Sequence, residues 1–139
     1  YIYPLSLSTT HRMIAPRVAL VGDAAHAVHP IAGQGLNSGF KDVAALAQVL
    51  CDAKRRGQDL GIHTALEEYQ RWRGFDNAML CTATNLFNHL FSNDNSLVRG
   101  LRDLSLGLVN NTPALRRAFV ANAAGISGDL PRLLQGEPL

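Results

Sequence analysis

Two cysteines in 139 residues are too few to build a fold on disulfides. Cys51 and Cys81 both fall in apolar, helix-like runs, where a free thiol behaves as a small hydrophobe, and the count fits a reducing compartment. The chain has no apolar run of about 18 residues, so no segment reads as a transmembrane helix. Charge of one sign is equally scarce: 13 basic residues stand against 11 acidic ones. Arg55–Arg56 and Arg116–Arg117 are pairs rather than a stripe, which argues against nucleic acid as a partner. There is no initiator Met and no secretory leader. The chain opens on Tyr1-Ile2-Tyr3-Pro4-Leu5, already extended, and reads as a piece of a longer protein.

What is present is a hydrophobic content of 47%, enough for one modest core. Tyr1, Tyr3, Leu5 and Leu7 alternate along residues 1–8 and predict a half-buried strand, which Pro4 pushes towards an edge. Arg17–Val21 (RVALV) predicts a buried strand that stops at Gly22. A first helix is expected from Gly35–Asn37, with Leu36, Phe40, Val43, Ala44, Ala47, Leu50 and Cys51 on one face and Gly57 past its end. Thr64 and Glu67 form a capping-box pattern before a long helix over about residues 65–91, which Gly74 bends or splits. Leu97, Leu101, Leu104 and Leu108 mark a third helix. Thr112 and Pro113 start a fourth, and the tail from Ile126 holds at most one short turn. The expected fold is therefore mostly α with two short amino-terminal strands. Two strands alone make no covered sheet, so they must belong to a larger one.

The stretch GDAAHAVHPIAGQGLNSGF, residues 22–40, separates the strand from the first helix. In an open α/β sheet, ligands sit beyond the carboxyl ends of strands. Asp23 stands one residue past such an end, where a carboxylate can accept hydrogen bonds from polyol hydroxyls. Gly33, Gly35 and Gly39 allow backbone to approach a flat ligand, and Pro30 stiffens the loop. The helix start offers unpaired N–H groups and a partial positive charge. His26 and His29 are three apart, but no third ligand stands at metal-site spacing; no metal is expected, and His26 is expected to pack or hydrogen-bond inside the loop. Taken singly, Gly-Asp after a strand is most often a plain turn.

The combination is more specific. Gly22, Asp23, Ala24, Ala25, His26, Pro30, Gly33, Gln34, Gly35, Asn37, Gly39 and Asp42 together resemble the second FAD-binding motif of the class A flavoprotein aromatic hydroxylases, the para-hydroxybenzoate hydroxylase-like group. Glu68-Tyr69-Gln70-Arg71-Trp72-Arg73, Asp76-Asn77, Leu90-Phe91-Ser92-Asn93, Leu101-Arg102-Asp103 and Gly128-Asp129-Leu130-Pro131-Arg132 are similar to the carboxyl-terminal helices of the ubiquinone-biosynthesis hydroxylases. The resemblance covers essentially the whole chain and about the last third of such an enzyme. The family's first glycine motif and its middle Asp-Gly motif are not in this sequence.

The resemblance implies the carboxyl-terminal part of an α/β, Rossmann-like FAD-binding monooxygenase fold. Residues 1–57 would complete the FAD-binding domain, and residues 58–139 would form a helical region packed on it. It implies FAD as cofactor, NAD(P)H and dioxygen as co-substrates, and a polyprenyl-phenol ubiquinone precursor as the ring hydroxylated. Gly22, Asp23, Pro30, Gly33, Gln34, Gly35, Leu36 and Asn37 are the expected cofactor-binding residues. Asp23 would hold the ribityl hydroxyls, the backbone of residues 35–37 would face the flavin N1–C2 carbonyl edge, and Pro30 would wall the ring. No side chain here is expected to be a catalytic proton carrier. A cytoplasmic protein is implied, with peripheral contact at the inner membrane or with partner enzymes as an added reading; Arg99, Arg102, Arg116, Arg117 and Arg132 would suit an anionic surface. By itself the chain should expose apolar surface and form a homo-oligomer. Two alternatives remain open at this point: a related FAD oxidoreductase, such as a polyprenyl reductase or another aromatic hydroxylase, and a non-catalytic helical assembly module.

Overall fold

The computed structural model describes residues 8–27, 33–92, 111–124 and 128–139. Its elements run β1 (Ser8–Thr9), β2 (Ile14–Ala15), β3 (Val18–Ala19), a 3-10 turn (Gly22–Ala24), β4 (His26–Ala27), α1 (Gly35–Arg55), α2 (His63–Ser92), α3 (Pro113–Ala123) and a final 3-10 turn (Arg132–Gln135). The expected strand over residues 1–8 lies outside the described residues apart from Ser8. So do the expected third helix, His29 and Pro30.

The β structure is smaller than the sequence predicts. Among the described residues it consists of two antiparallel ribbons, β1 with β4 and β2 with β3. RVALV does not form one buried strand. Pro16 and Arg17 make a two-residue corner between β2 and β3, where Pro16 fixes its own φ and Arg17 takes a φ of 61°. Val18 is left half-exposed, while Leu20 and Val21 leave the ribbon and pack against the core. Arg17 ion-pairs with Asp59 and lies against Gly61, so the corner is tied to the α1–α2 connection.

α1 and α2 carry the fold. α1 ends where expected, in a Schellman arrangement: Gln58 N–H reaches Ala53 O at 3.0 Å, and Gly57 N–H reaches Lys54 O at 3.0 Å. Gly57 makes this possible with a φ of 70°. The inward face of α1 differs from the apolar stripe in the sequence. Ser38, Asp42, Ala45, Val49 and Ala53 are buried, whereas Leu36, Phe40 and Val43 are 70%, 58% and 54% exposed. Small residues let α2 approach closely, and its own buried face is Ala65, Leu66, Tyr69, Arg73, Asn77 and Thr84. Met13, Ile14 and Ala25 close the core from the β side.

α2 runs unbroken through Gly74, which therefore does not split it into two elements. It begins at His63, so Thr64 is already inside the helix; Glu67 pairs with His63, at 3.2 Å, rather than closing a capping box. Thr112 and Pro113 do start α3 as expected, with Thr112 O accepting from Arg116 N–H at 3.1 Å. The tail returns to the helices. Arg132 donates to both carboxylate oxygens of Asp52, at 2.7 and 2.6 Å, and Trp72 Nε1 donates to Asp129 O at 3.1 Å. Arg132 thus clasps the tail to α1. Cys51 and Cys81 are unpaired and only half-buried.

The Schellman geometry makes Gly57 the most substitution-sensitive exposed position of α1. Gly57→Ala is expected to destabilise by about 1 kcal/mol, and Gly57→Asn by less, because a β-carbon is strained at positive φ and asparagine tolerates it best. Urea unfolding followed by circular dichroism measures both.

Candidate functional site

The site begins at a reversal of the chain. Val21 is extended, and Gly22 follows with a φ of 58° to enter the turn Gly22–Ala24, closed by Ala25 N–H to Gly22 O at 2.9 Å. Only glycine takes that conformation without strain. The turn also lies close against α1, since a β-carbon on Gly39 would sit 3.6 Å from Gly22 Cα. Asp23 projects from this turn. It is exposed, and among the described residues its carboxylate has no hydrogen-bond or ion-pair partner.

Across from it is the amino end of α1. The first intrahelical bond is Ser38 N–H to Gln34 O at 2.9 Å, so the N–H groups of Gly35 and Leu36 precede any helical acceptor. Turn and helix end enclose a cleft of about 710 Å³ lined by Val21, Gly22, Asp23, Gly33, Gly35, Leu36, Gly39, Phe40 and Val43. Gly22, Asp23, Gly33, Gly35 and Leu36 are therefore brought together at one cleft. Gln34 and Asn37 instead line a neighbouring cleft of about 350 Å³ on the other side of the helix end, beside Lys41, Phe75 and Met79. Asn37 Nδ2 donates to Gln34 Oε1 at 3.4 Å. Pro30 lies outside the described residues. Leu36, Phe40 and Val43, three members of the apolar α1 face read from the sequence, line the first cleft.

Behind this cleft is a buried polar cluster. Asp42, two turns into α1 and 0% exposed, accepts from Gly22 N–H at 3.0 Å, His26 Nε2 at 2.6 Å and Arg73 Nε at 2.7 Å. Arg73, 1% exposed, also donates to Asp76 at 2.6 Å and to Asn77 Oδ1 at 3.3 Å, and Ser38 Oγ donates to Asn77 Oδ1 at 3.0 Å. Burial alone would raise the Asp42 pKa; the hydrogen bonds from His26, Arg73 and Gly22 outweigh it and hold the group below its usual value. With Asp42 ionised, His26 Nε2 carries the shared proton, and among the described residues its buried Nδ1 has no partner. Tyr69 donates to Leu20 O at 2.8 Å, and burial followed by the Asp42 charge pushes its phenol up.

The sequence placed Asp42 only within a motif and gave it no task, and gave none to Arg73. The available signal was an acid interrupting the small-residue face Ser38, Ala45, Val49, Ala53. Among the described residues no group of three or more His, Cys, Asp or Glu is placed to hold a metal. No helix among them is long and apolar enough to cross a membrane.

A glycine-backed turn with a free carboxylate, facing a helix amino end over a cleft with an apolar wall, suits a ligand that is planar and apolar at one end and polyhydroxylated at the other. FAD meets that description. Residues 2–73 match the family described as FAD binding domain, and the chain belongs to that family. It is 42% identical over 142 residues to ubiquinone hydroxylase UbiL of Rhodospirillum rubrum, an alignment covering all of this chain and 33% of that protein. It is 41% identical over 123 residues to the human ubiquinone biosynthesis monooxygenase COQ6, mitochondrial, covering 88% of this chain and 26% of that protein. An uncharacterized protein of Synechocystis, slr1300, is 36% identical over 138 residues, covering 99% of this chain and 33% of its own length. The chain spans about a third of the length of these relatives.

The Asp42 cluster has two measurable consequences. Arg73→Met, which leaves a buried carboxylate without its cation, should cost about 3–5 kcal/mol of stability in urea unfolding. The pH dependence follows from the direction of the Asp42 shift. Its stabilisation is complete above the unfolded carboxylate pKa of about 4 and is lost as pH falls through the lower folded value. Urea midpoints compared at pH 7 and in the acid range should therefore fall less steeply with acid in Asp42→Asn than in the parent, from a lower starting value.

Proposed function

We propose that the chain is the flavin-gripping part, about a third, of an FAD-dependent monooxygenase that hydroxylates the aromatic ring of a polyprenyl-phenol precursor of ubiquinone, with NAD(P)H and dioxygen as co-substrates. One observation carries the reading. Asp23 is exposed and, among the described residues, without a side-chain partner, on a turn that faces the amino end of α1 across one cleft. The hydroxylase and monooxygenase names of the relatives give the reaction class and the pathway. In this reading residues 1–57 belong to a larger Rossmann-like FAD domain and residues 58–139 pack on it.

FAD, when bound, supplies the redox chemistry that activates dioxygen for ring hydroxylation. The chain's own residues bind and orient it. Asp23 accepts hydrogen bonds from the sugar-alcohol hydroxyls. The backbone of Gly35, Leu36 and Asn37, at the amino end of α1, would hold the polar edge of the ring, and the partial positive charge of a helix amino end favours negative charge there. Gly33 and Gly22 keep the backbone low beside the ligand. Leu36, Phe40 and Val43 would lie against the ring and keep water from it. Gln34 and Pro30 complete the loop that carries these groups. No residue of the chain is given a proton-transfer task. We propose further that, apart from the rest of the enzyme, the exposed wall of Leu36, Phe40 and Val43 makes the chain self-associate.

The test is Asp23→Ala in the full-length protein. Flavin absorbance should be retained by the parent and largely lost from the variant after gel filtration, with FAD affinity down by about tenfold or more, the effect of losing hydrogen bonds to a charged group. The unfolding midpoint of the flavin-free protein should be unchanged, because among the described residues the Asp23 carboxylate has no hydrogen-bond or ion-pair partner. A colourless parent, or a variant that keeps full flavin, contradicts the proposal.

A further inference from the structure

We infer that Asp42 is a positioning residue for the flavin cleft: it fixes the spacing between the turn that carries Asp23 and the amino end of α1. The inference rests on the reading of the cleft as an FAD site, and it concerns a residue that does not line the cleft.

The geometry supports it at each point. The two walls of the cleft are the Gly22–Ala24 turn and the first turns of α1. Asp42 belongs to α1, and its Oδ2 takes the backbone N–H of Gly22 at 3.0 Å, the residue directly before Asp23. The same oxygen takes His26 Nε2 at 2.6 Å, where the chain leaves the turn. One oxygen thus holds the turn at its entry and its exit. The other oxygen takes Arg73 Nε at 2.7 Å. Arg73 is itself fixed by Asp76 and Asn77, so the carboxylate plane cannot swing. The glycine pair at Gly22 and Gly39 lets the turn come close to α1 but supplies no bond to hold it there. Asp42 supplies that bond.

Asp42→Asn separates this task from general packing. The amide keeps size and shape but has one oxygen. Arg73 has only donors, so the oxygen stays towards Arg73 and the NH₂ turns towards Gly22 and His26. His26 can accept by changing tautomer; the Gly22 N–H cannot accept at all. The substitution therefore releases the turn at Gly22. Ser38→Ala is the control. It removes a hydroxyl from the same α1–α2 seam, one that donates to Asn77 at 3.0 Å, accepts from Arg73 Nη2 at 3.5 Å and makes no bond to the turn.

The experiment uses the full-length protein stripped of flavin and titrated with FAD by fluorescence quenching, with the unfolding midpoint of the apoprotein and the flavin reduction potential measured in parallel. Asp42→Asn is expected to weaken FAD binding by about tenfold or more, as for a lost charged hydrogen bond. It is also expected to lower the potential, because the helix end is no longer held against the ring edge. Ser38→Ala should lower the midpoint and leave affinity and potential as in the parent. Equal affinity and potential in Asp42→Asn and parent overturn the inference. So does a loss of affinity in both variants that merely tracks their midpoints. If Asp42→Asn fails to fold, His26→Leu cuts only the exit bond and keeps the Asp42–Arg73 pair; weakened FAD binding then supports the inference, and parental affinity overturns it. A parent that binds no FAD overturns the underlying reading of the cleft instead, and is distinguished by the first titration.

Discussion

Asp42 and Arg73 form a charged pair removed from water inside a chain of modest size, and the arrangement of the cleft depends on them. Burying both charges is costly unless every lone pair and proton finds a partner. Here Asp42 receives three donors and Arg73 reaches Asp42, Asp76 and Asn77. The network spans α1, α2, the Gly22 turn and β4. An apolar core could join α1 to α2 as well or better, but it would offer nothing to the Gly22 N–H. The carboxylate is in the right place to be both a core group and the fastening of a loop, and this explains why a polar residue occupies a buried helix position.

The same economy shapes the cleft. Its polar side consists of the Asp23 carboxylate and the N–H groups of Gly35 and Leu36, which precede any helical acceptor, and its apolar side is the Leu36, Phe40, Val43 row. Opposite electrostatic characters meet at its two ends: a free anion for hydroxyl donors, and a positive helix end for developing negative charge. Membership of the FAD binding domain family and the match to ubiquinone-pathway hydroxylases agree with a ligand of that polarity.

The sequence made much of this legible, for identifiable reasons. The limits of α1 and α2 followed from long 3.6-residue periods and from Gly57, and the cleft residues from glycines clustered around Gly22 and Asp23. The orientation of α1 did not follow. Leu36, Phe40 and Val43 looked like a core face by hydrophobicity alone, yet they face the cleft; the true core face holds Ser38 and Asp42, whose burial makes sense only with Arg73, which is 31 residues further on. The β2–β3 corner was hidden because Arg17 takes a backbone conformation uncommon outside glycine. Arg132 looked like a surface cation until its pairing with Asp52, 80 residues away, was visible. Asp42 and Arg132 were missed because their partners are distant in sequence, and the corner at Arg17 because its backbone conformation is rare for that residue type.

The central claim is that a side chain of α1 holds the backbone of the Gly22 turn. Amide hydrogen exchange at Gly22, read by NMR, tests it most directly. A hydrogen bond to buried Asp42 predicts protection close to that of the α1 core amides, opening only with global unfolding. Exchange at the rate of an exposed loop amide would contradict the account.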